Sequence, residues 1–295
     1  MKPMRKRKIS PYIALFPAFV IVLFAYVVTV IWNIWISFTD SKLLPVNTFI
    51  GFKNYARLFD TDRWTISLYN VVIFGVLFII GCLVLGFLLA VMLDQKVRFE
   101  NTFRTIFLYP FAMSFIVTGL VWQWIMNPTL GVQKVADLWG MDWFRFDWIV
   151  RGDLAIYVIV LAGIWQSSGL VMAIMLAGLR GVDSELWKAT RIDGIPTWRV
   201  YLHIVLPILR PTIITATVLL AIAVVRVYEL VLSTTGGGPG IATEVPGKFI
   251  MDYLFGRANI GLATAASSVM FVTVVIAVTP WLYYEYFREK PRSAL

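Results

Sequence analysis

Six apolar stretches, each long enough to cross a bilayer, constrain this chain more than any other feature. They lie near residues 12–38, 68–93, 106–126, 154–179, 204–232 and 260–287. Hydrocarbon about 30 Å thick takes ~20 helical residues to cross. Lipid offers no partner to an unpaired backbone N–H or C=O, so each stretch is predicted to be helical. Composition agrees: of 295 residues, 59% are hydrophobic and 15% charged, where a water-soluble domain carries about a quarter charged. The expected fold class is all-α, a polytopic membrane protein with six transmembrane helices in a single domain spanning 1–295. The first stretch follows five basic residues in Met1–Ser10, as a secretory leader would. It is too long for a leader's apolar core and no small-residue cleavage pattern follows, so it is expected to be retained.

The net charge of +9 does not point to nucleic acid, because the basic residues sit in short loops between apolar stretches. Counted by alternate segments, 16 Lys and Arg fall in the N-terminal tail, 94–105, 180–210 and the C-terminal tail, against 9 in the other three loops. The positive-inside rule then predicts a multi-pass cell-membrane protein with both termini cytoplasmic. Trp32, Trp122, Trp124, Trp165 and Trp281 lie near span ends, as interfacial anchors do. The outer loops 39–66 and 127–152 are amphipathic. The second interleaves Trp139, Trp143, Phe144, Phe146 and Trp148 with Asp137, Asp142 and Asp147. Such a loop either lies on the membrane surface or forms a rim for an extracytoplasmic protein.

Catalytic clusters are missing from the sequence. His203 is the one histidine and has no ligand-spaced Cys, His or carboxylate neighbours, so no metal site is expected. Cys82, the one cysteine, lies in an apolar run and reads as a core residue. Ala242–Phe249, ATEVPGKF, nearly matches a phosphate-binding loop, but Phe249 stands where a Ser or Thr must reach magnesium. With no cofactor or nucleotide site expected in this chain, ATP-driven transport would need an ATPase from another subunit.

Arg226 and Glu229 interrupt the fifth stretch three residues apart, on neighbouring positions of one helix face. Either one alone in lipid costs at least ~2.5 kcal/mol. Two readings stay open: a structural ion pair between helices, or the lining of a substrate path. Tyr228 and, on the fourth stretch, Trp165, Gln166, Ser167 and Ser168 would suit recognition of hydroxylated rings, or equally interhelical hydrogen bonding.

The polar stretch 183–207, DSELWKATRIDGIPTWRVYLHIVLP, separates the fourth and fifth spans. Asp183 or Ser184 suits an N-cap, and Glu185 the first helical turn. Leu186, Trp187, Ala189, Thr190 and Ile192 form a small apolar face. Gly194 fits the position past a helix end, and Pro196 the first turn of a second helix that runs through Pro207.

These residues resemble the permease subunits of type I ABC importers for carbohydrates, the maltose-transporter-like group. The signature of that group is Glu-Ala-Ala, three residues, Gly, then a tract ending in Leu-Pro. Here KATRIDG runs from Lys188 to Gly194, and Leu206–Pro207 follows. Further matches are Asn70, GFLLA at Gly86–Ala90, FRTIFLYP at Phe103–Pro110, WQWIMNPTLG at Trp122–Gly131, TGGGPGIAT at Thr235–Thr243 and NIGLATAAS at Asn259–Ser267. The resemblance covers about residues 10 to 290. It implies the type I importer permease fold and a coupling helix carrying Glu185, Trp187, Lys188, Ala189, Arg191, Asp193 and Gly194. That helix would seat on a cytoplasmic ATPase dimer, which binds ATP and Mg. It also implies a second homologous permease, an extracytoplasmic sugar-binding protein and a sugar substrate, with a lean toward the glucose or α-glucoside branch. Gly163, Gln166, Ser167, Arg226, Tyr228 and Glu229 fall near the family's sugar contacts.

One departure stands out. Lys188 replaces the family's Glu, which is expected to meet a basic group on the ATPase, and Thr190 replaces the second Ala. Either the partner has an acidic group there, or Glu185 takes the contact. A competing reading is an ion-coupled secondary transporter that uses Arg226 and Glu229 as a relay. Its usual marks, an inverted repeat and broken spans, are not visible in the sequence. A third reading, a membrane-embedded enzyme, lacks a catalytic cluster.

Overall fold

The computed structural model describes residues 10–288 other than Lys96, Asp142 and Phe144. Most of both terminal tails, Asp142, Phe144 and the side chain of Trp281 therefore lie outside the described residues. The described residues are mostly helical, and among them extended pairing is limited to one isolated bridge, Thr39 with Phe49. In order the helices are α1 (Ser10–Val22), α2 (Thr29–Ser37), α3 (Lys53–Phe59), α4 (Asp62–Asp94), α5 (Glu100–Leu108), α6 (Phe115–Ile125), α7 (Val132–Leu138), α8 (Ala155–Arg180), α9 (Ser184–Ile192), α10 (Thr197–Arg199), α11 (Leu206–Ile208), α12 (Arg210–Val225), α13 (Tyr228–Thr234), α14 (Pro246–Met251) and α15 (Ile260–Arg288). A π-helical turn, Leu23–Val28, joins α1 to α2.

Three single helices are long and apolar enough to cross a membrane: Leu15–Ser37, Asp62–Asp94 and Ala155–Arg180. Two bent pairs bring the number to five if each counts as one crossing. The sixth expected crossing falls on α15, whose described apolar part is Ile260–Ile276. The third and fifth stretches, expected as continuous spans, are broken. Glu100–Ala112 and Phe115–Ile125 meet at 100°, and Thr197–Ile208 and Arg210–Val225 at 72°. The fifth breaks again at Arg226–Val227, between α12 and α13. Proline marks the first two breaks: Pro110 sits in the 3-10 turn Tyr109–Ala112 that leads into the first, and Pro207 and Pro211 flank the second. Each removes a helix donor and crowds the preceding turn.

The chain forms two compact units. One comprises 1–61 and 250–295. Here α2 lies along α15, and the Asn33 amide donates to Ser268 Oγ at 3.1 Å. Asn54 donates to the carbonyls of Ser37 and Thr39, each at 2.9 Å, and folds the 39–52 loop against α3.

The other unit, Asp62–Phe249, is built on α4 and α8. Small residues let their backbones approach, the packing mode of helices in lipid. A Cβ on Gly81 would lie 2.4 Å from Ile164, and one on Gly86 2.5 Å from Val171. Around this seam Phe74, Phe78, Cys82, Met172, Met175 and Leu176 are buried. On the other face of α8, a Cβ on Gly169 would meet the Phe107 carbonyl oxygen at 1.9 Å. That contact seats α5 and the first break.

Gly169→Ala should therefore cost about 1–3 kcal/mol of packing strain and lower the melting temperature of the detergent-purified protein. Gly256→Ala, where an added Cβ meets nothing, should leave it unchanged. Thermal unfolding followed by size-exclusion fluorescence makes the comparison.

Candidate functional site

The polar stretch folds as a helical hairpin. Asp183 caps α9, its carboxylate accepting from the Glu185 N–H at 2.9 Å. At the other end Gly194 adopts a φ of +67°, the left-handed conformation that suits glycine. The Ile195 N–H then reaches the Thr190 carbonyl at 3.1 Å, and the Gly194 N–H reaches that of Arg191 at 3.2 Å. That pair of bonds is the Schellman closure of a helix end. Pro196 precedes α10 rather than opening it, one residue from the expected place.

The predicted apolar face of α9 divides in two. Leu186, Trp187 and Thr190 turn inward. Ala189 and Ile192 turn outward with Glu185, Lys188, Arg191 and Asp193, and Ile192 is 84% exposed. Lys188 Nζ lies 2.9 Å from Glu185 Oε1, one helical turn back. Both members of the pair are exposed, so it contributes little and either can be drawn off by another partner.

Trp187 is held by Tyr201, the ring centroids 5.3 Å apart. Tyr201 is buried, and its hydroxyl accepts from Gln95 Nε2 at 2.9 Å, just past the end of α4. Neither Tyr201 nor Gln95 was singled out by motif. One signal existed: Trp187 and Tyr201 are each seven residues from Gly194, and a hairpin brings residues equidistant from its turn together.

At the third break, Arg226 ends α12 and Tyr228 and Glu229 open α13. Arg226 Nη2 lies 3.3 Å from Glu229 Oε1. The side chains are 63% and 35% exposed in the chain, so the pair is not sealed among this chain's own helices. Tyr228 packs against α14, where a Cβ on Gly247 would lie 2.8 Å from its own. Irregular backbone at membrane depth persists only inside protein or beside water.

The fourth-span residues sit differently. Gly163 faces Phe74 and Phe78 across the α4–α8 seam. Gln166 and Ser167 are buried. The Gln166 amide donates to the Met113 carbonyl at 2.7 Å, in the first break. Its oxygen, like Trp122 Nε1 and Thr118 Oγ1, is buried with no hydrogen-bond partner among the described residues. Trp165 rests edge-on to Trp122 at 6.2 Å.

A polar clamp that the sequence did not reveal holds the TGGGPGIAT loop. Asn70 donates to the carbonyls of Ala242 and Glu244, each at 2.9 Å. Arg63 Nη2 lies 2.7 Å from the buried Glu244 carboxylate. Glu244 and Lys248 belong to the segment that resembles a phosphate loop. In the structure its backbone and carboxylate are engaged by α4.

Residues 82–284 match the family described as binding-protein-dependent transport system inner membrane component. The chain belongs to that family. This permease is 39% identical to a probable ABC transporter permease of Pyrococcus horikoshii, over 97% of this chain and 100% of the relative. It is 29% identical to the xylose/arabinose import permease of Haloferax volcanii, over 86% and 81%. It shares its fold with a chain of a bacterial ABC transporter involved in import of the acidic polysaccharide alginate. The TM-score is 0.81 at 20% identity, covering 97% and 98% of the two chains. Family membership gives the secondary-transporter reading no support, although the permease does contain the broken spans that its sequence did not suggest.

Removing the cap by Asp183→Ala should cost α9 about 0.5–2 kcal/mol. Amide hydrogen exchange across 185–192 should quicken about twofold to thirtyfold while α8 keeps its protection.

Proposed function

We propose that this permease forms half of the pore of an ATP-driven, binding-protein-dependent carbohydrate importer. The observation that carries the reading is α9, a capped helix whose outward face presents Ile192, Ala189 and paired charges. That face fits a groove on a cytoplasmic ATPase subunit. The ATPase dimer supplies the bound ATP and Mg, and this chain hydrolyses nothing itself. A second, homologous permease completes the pore. An extracytoplasmic binding protein delivers the sugar, and both termini face the cytoplasm. The pentose and alginate transporters among the relatives support a carbohydrate substrate. The lean toward glucose or an α-glucoside rests on motif resemblance.

The substrate path runs past Arg226, Tyr228 and Glu229. Support comes from the helix break there and from the exposure of the ion pair within a single chain. Gln166 and Ser167 border it through the Met113 turn. Gly163 contributes close packing beneath it. On α9, Lys188 leaves Glu185 to meet an acidic group on the ATPase, the inverse of the family's usual charge.

Affinity purification in mild detergent should recover an ATPase, a second permease and a binding protein whose bound sugar names the substrate. Recovery of the chain alone, with uptake that survives ATP depletion, would overturn the reading. Glu229→Ala should lower uptake about tenfold, the scale of one hydrogen bond to a charged group, with assembly intact; normal uptake removes Glu229 from the path. Lys188→Glu should weaken ATPase binding, and reversing the charge of the facing ATPase residue should restore it. Unchanged transport in the single variant would count against a specific pairing.

A further inference from the structure

We propose that α4 is a strut that ties the docking helix to the TGGGPGIAT loop, with Tyr201 as the pin at one end and Asn70 at the other. The inference rests on the reading of α9 as an ATPase-docking helix. It concerns what happens after docking, which that reading leaves open.

The geometry at the docking end is a chain of short contacts. Trp187, on the inward face of α9, meets the Tyr201 ring at 5.3 Å. Tyr201 also meets Phe87 of α4 edge-on at 6.5 Å. Its hydroxyl accepts from the Gln95 amide at 2.9 Å, and Asp94 lies beside the same hydroxyl. One buried side chain thus touches α9 on one side and the end of α4 on the other.

From there α4 runs 33 residues without a break, about 50 Å at 1.5 Å per residue. The α4–α8 seam stiffens it, since a Cβ at Gly81 or Gly86 would already clash. At its far end the Asn70 amide holds two successive turns of the loop, through the carbonyls of Ala242 and Glu244. Arg63 pairs with Glu244, and Trp64 packs edge-on to Phe249 at 5.2 Å. A shift of α9 therefore reaches the loop through one rigid element, with no flexible segment between the two pins.

Tyr201 is a positioning residue in this scheme. It touches neither nucleotide nor sugar. Its hydroxyl and its ring do separable work: the ring packs on Trp187 and Phe87, and the hydroxyl fixes the register against Gln95. Tyr201→Phe keeps the first and removes the second, so folding should survive it.

The test uses the assembled transporter with a reporter on the loop. Ile241 is exposed at its tip, and the one native cysteine, Cys82, is fully buried, so Ile241→Cys can be labelled selectively with an environment-sensitive fluorophore. Trapping with MgATP and vanadate should shift the label's emission. Tyr201→Phe and Gln95→Leu should each reduce that shift about threefold to tenfold, the scale of one hydrogen bond. The double variant should fall no further than Tyr201→Phe alone, since that variant already removes the hydroxyl's contacts with both Gln95 and Asp94. Assembly and vanadate-trapped nucleotide should stay at the parent level. A parent label that does not respond, a full shift in Tyr201→Phe, or additive losses in the double variant would each overturn the strut. A loss that tracks reduced assembly would make Tyr201 merely structural and overturn it too. If no ATPase assembles at all, the docking reading falls first, and that outcome is recognised by the absence of trapped nucleotide.

Discussion

A backbone inside a bilayer must satisfy its own hydrogen bonds, because lipid has none to give. Helix follows from this wherever the chain meets lipid, and so does the meaning of every place where the helix stops. In this permease the stops are few and marked. One follows the turn of Pro110 and holds the Met113 carbonyl that Gln166 engages. One lies at Leu209, between Pro207 and Pro211. One falls at Arg226–Val227, beside the ion pair. The breaks need water or protein around them, and the polar side chains gathered there supply part of that surrounding.

The same constraint explains the core. Helices in lipid gain little from hiding apolar surface, so close backbone approach and a few polar contacts hold them together. Glycines at 81, 86, 163 and 169 provide the approach. Asn70, Asn33 and Gln166 provide the polar contacts. The first span, by contrast, buries none of its most apolar window within the chain. A surface of that kind suits lipid or a second membrane subunit.

Much of the fold was legible in the sequence because lipid imposes one rule on every span. The apolar runs located the helices, and the Asp183 cap and the Gly194 turn located the helical hairpin between the fourth and fifth spans. The breaks were missed because hydropathy averages over about 19 residues and stays high across Pro110, Pro207 and Arg226. The proline at each of the first two was visible, yet membrane helices tolerate proline often enough that its presence alone does not cut a span. Lys188 pairs with Glu185 one turn back within α9, a contact not assigned from the sequence. Tyr201 with Gln95, and Arg63 with Glu244, join residues more than 100 positions apart. No local period encodes such pairs. Asn70 entered through resemblance, but only the structure gives its work, a pair of hydrogen bonds to one loop.

The central claim is that the outward face of α9 seats on an ATPase. Cross-linking from Ile192→Cys in native membranes tests it most directly, because Cys82 is buried and leaves one reactive thiol. A maleimide-benzophenone carried on that thiol should, on irradiation, join the permease to an ATP-binding subunit, and the adduct should carry nucleotide when trapped with vanadate. A label that stays on the free permease, in membranes where uptake depends on ATP, would contradict the account.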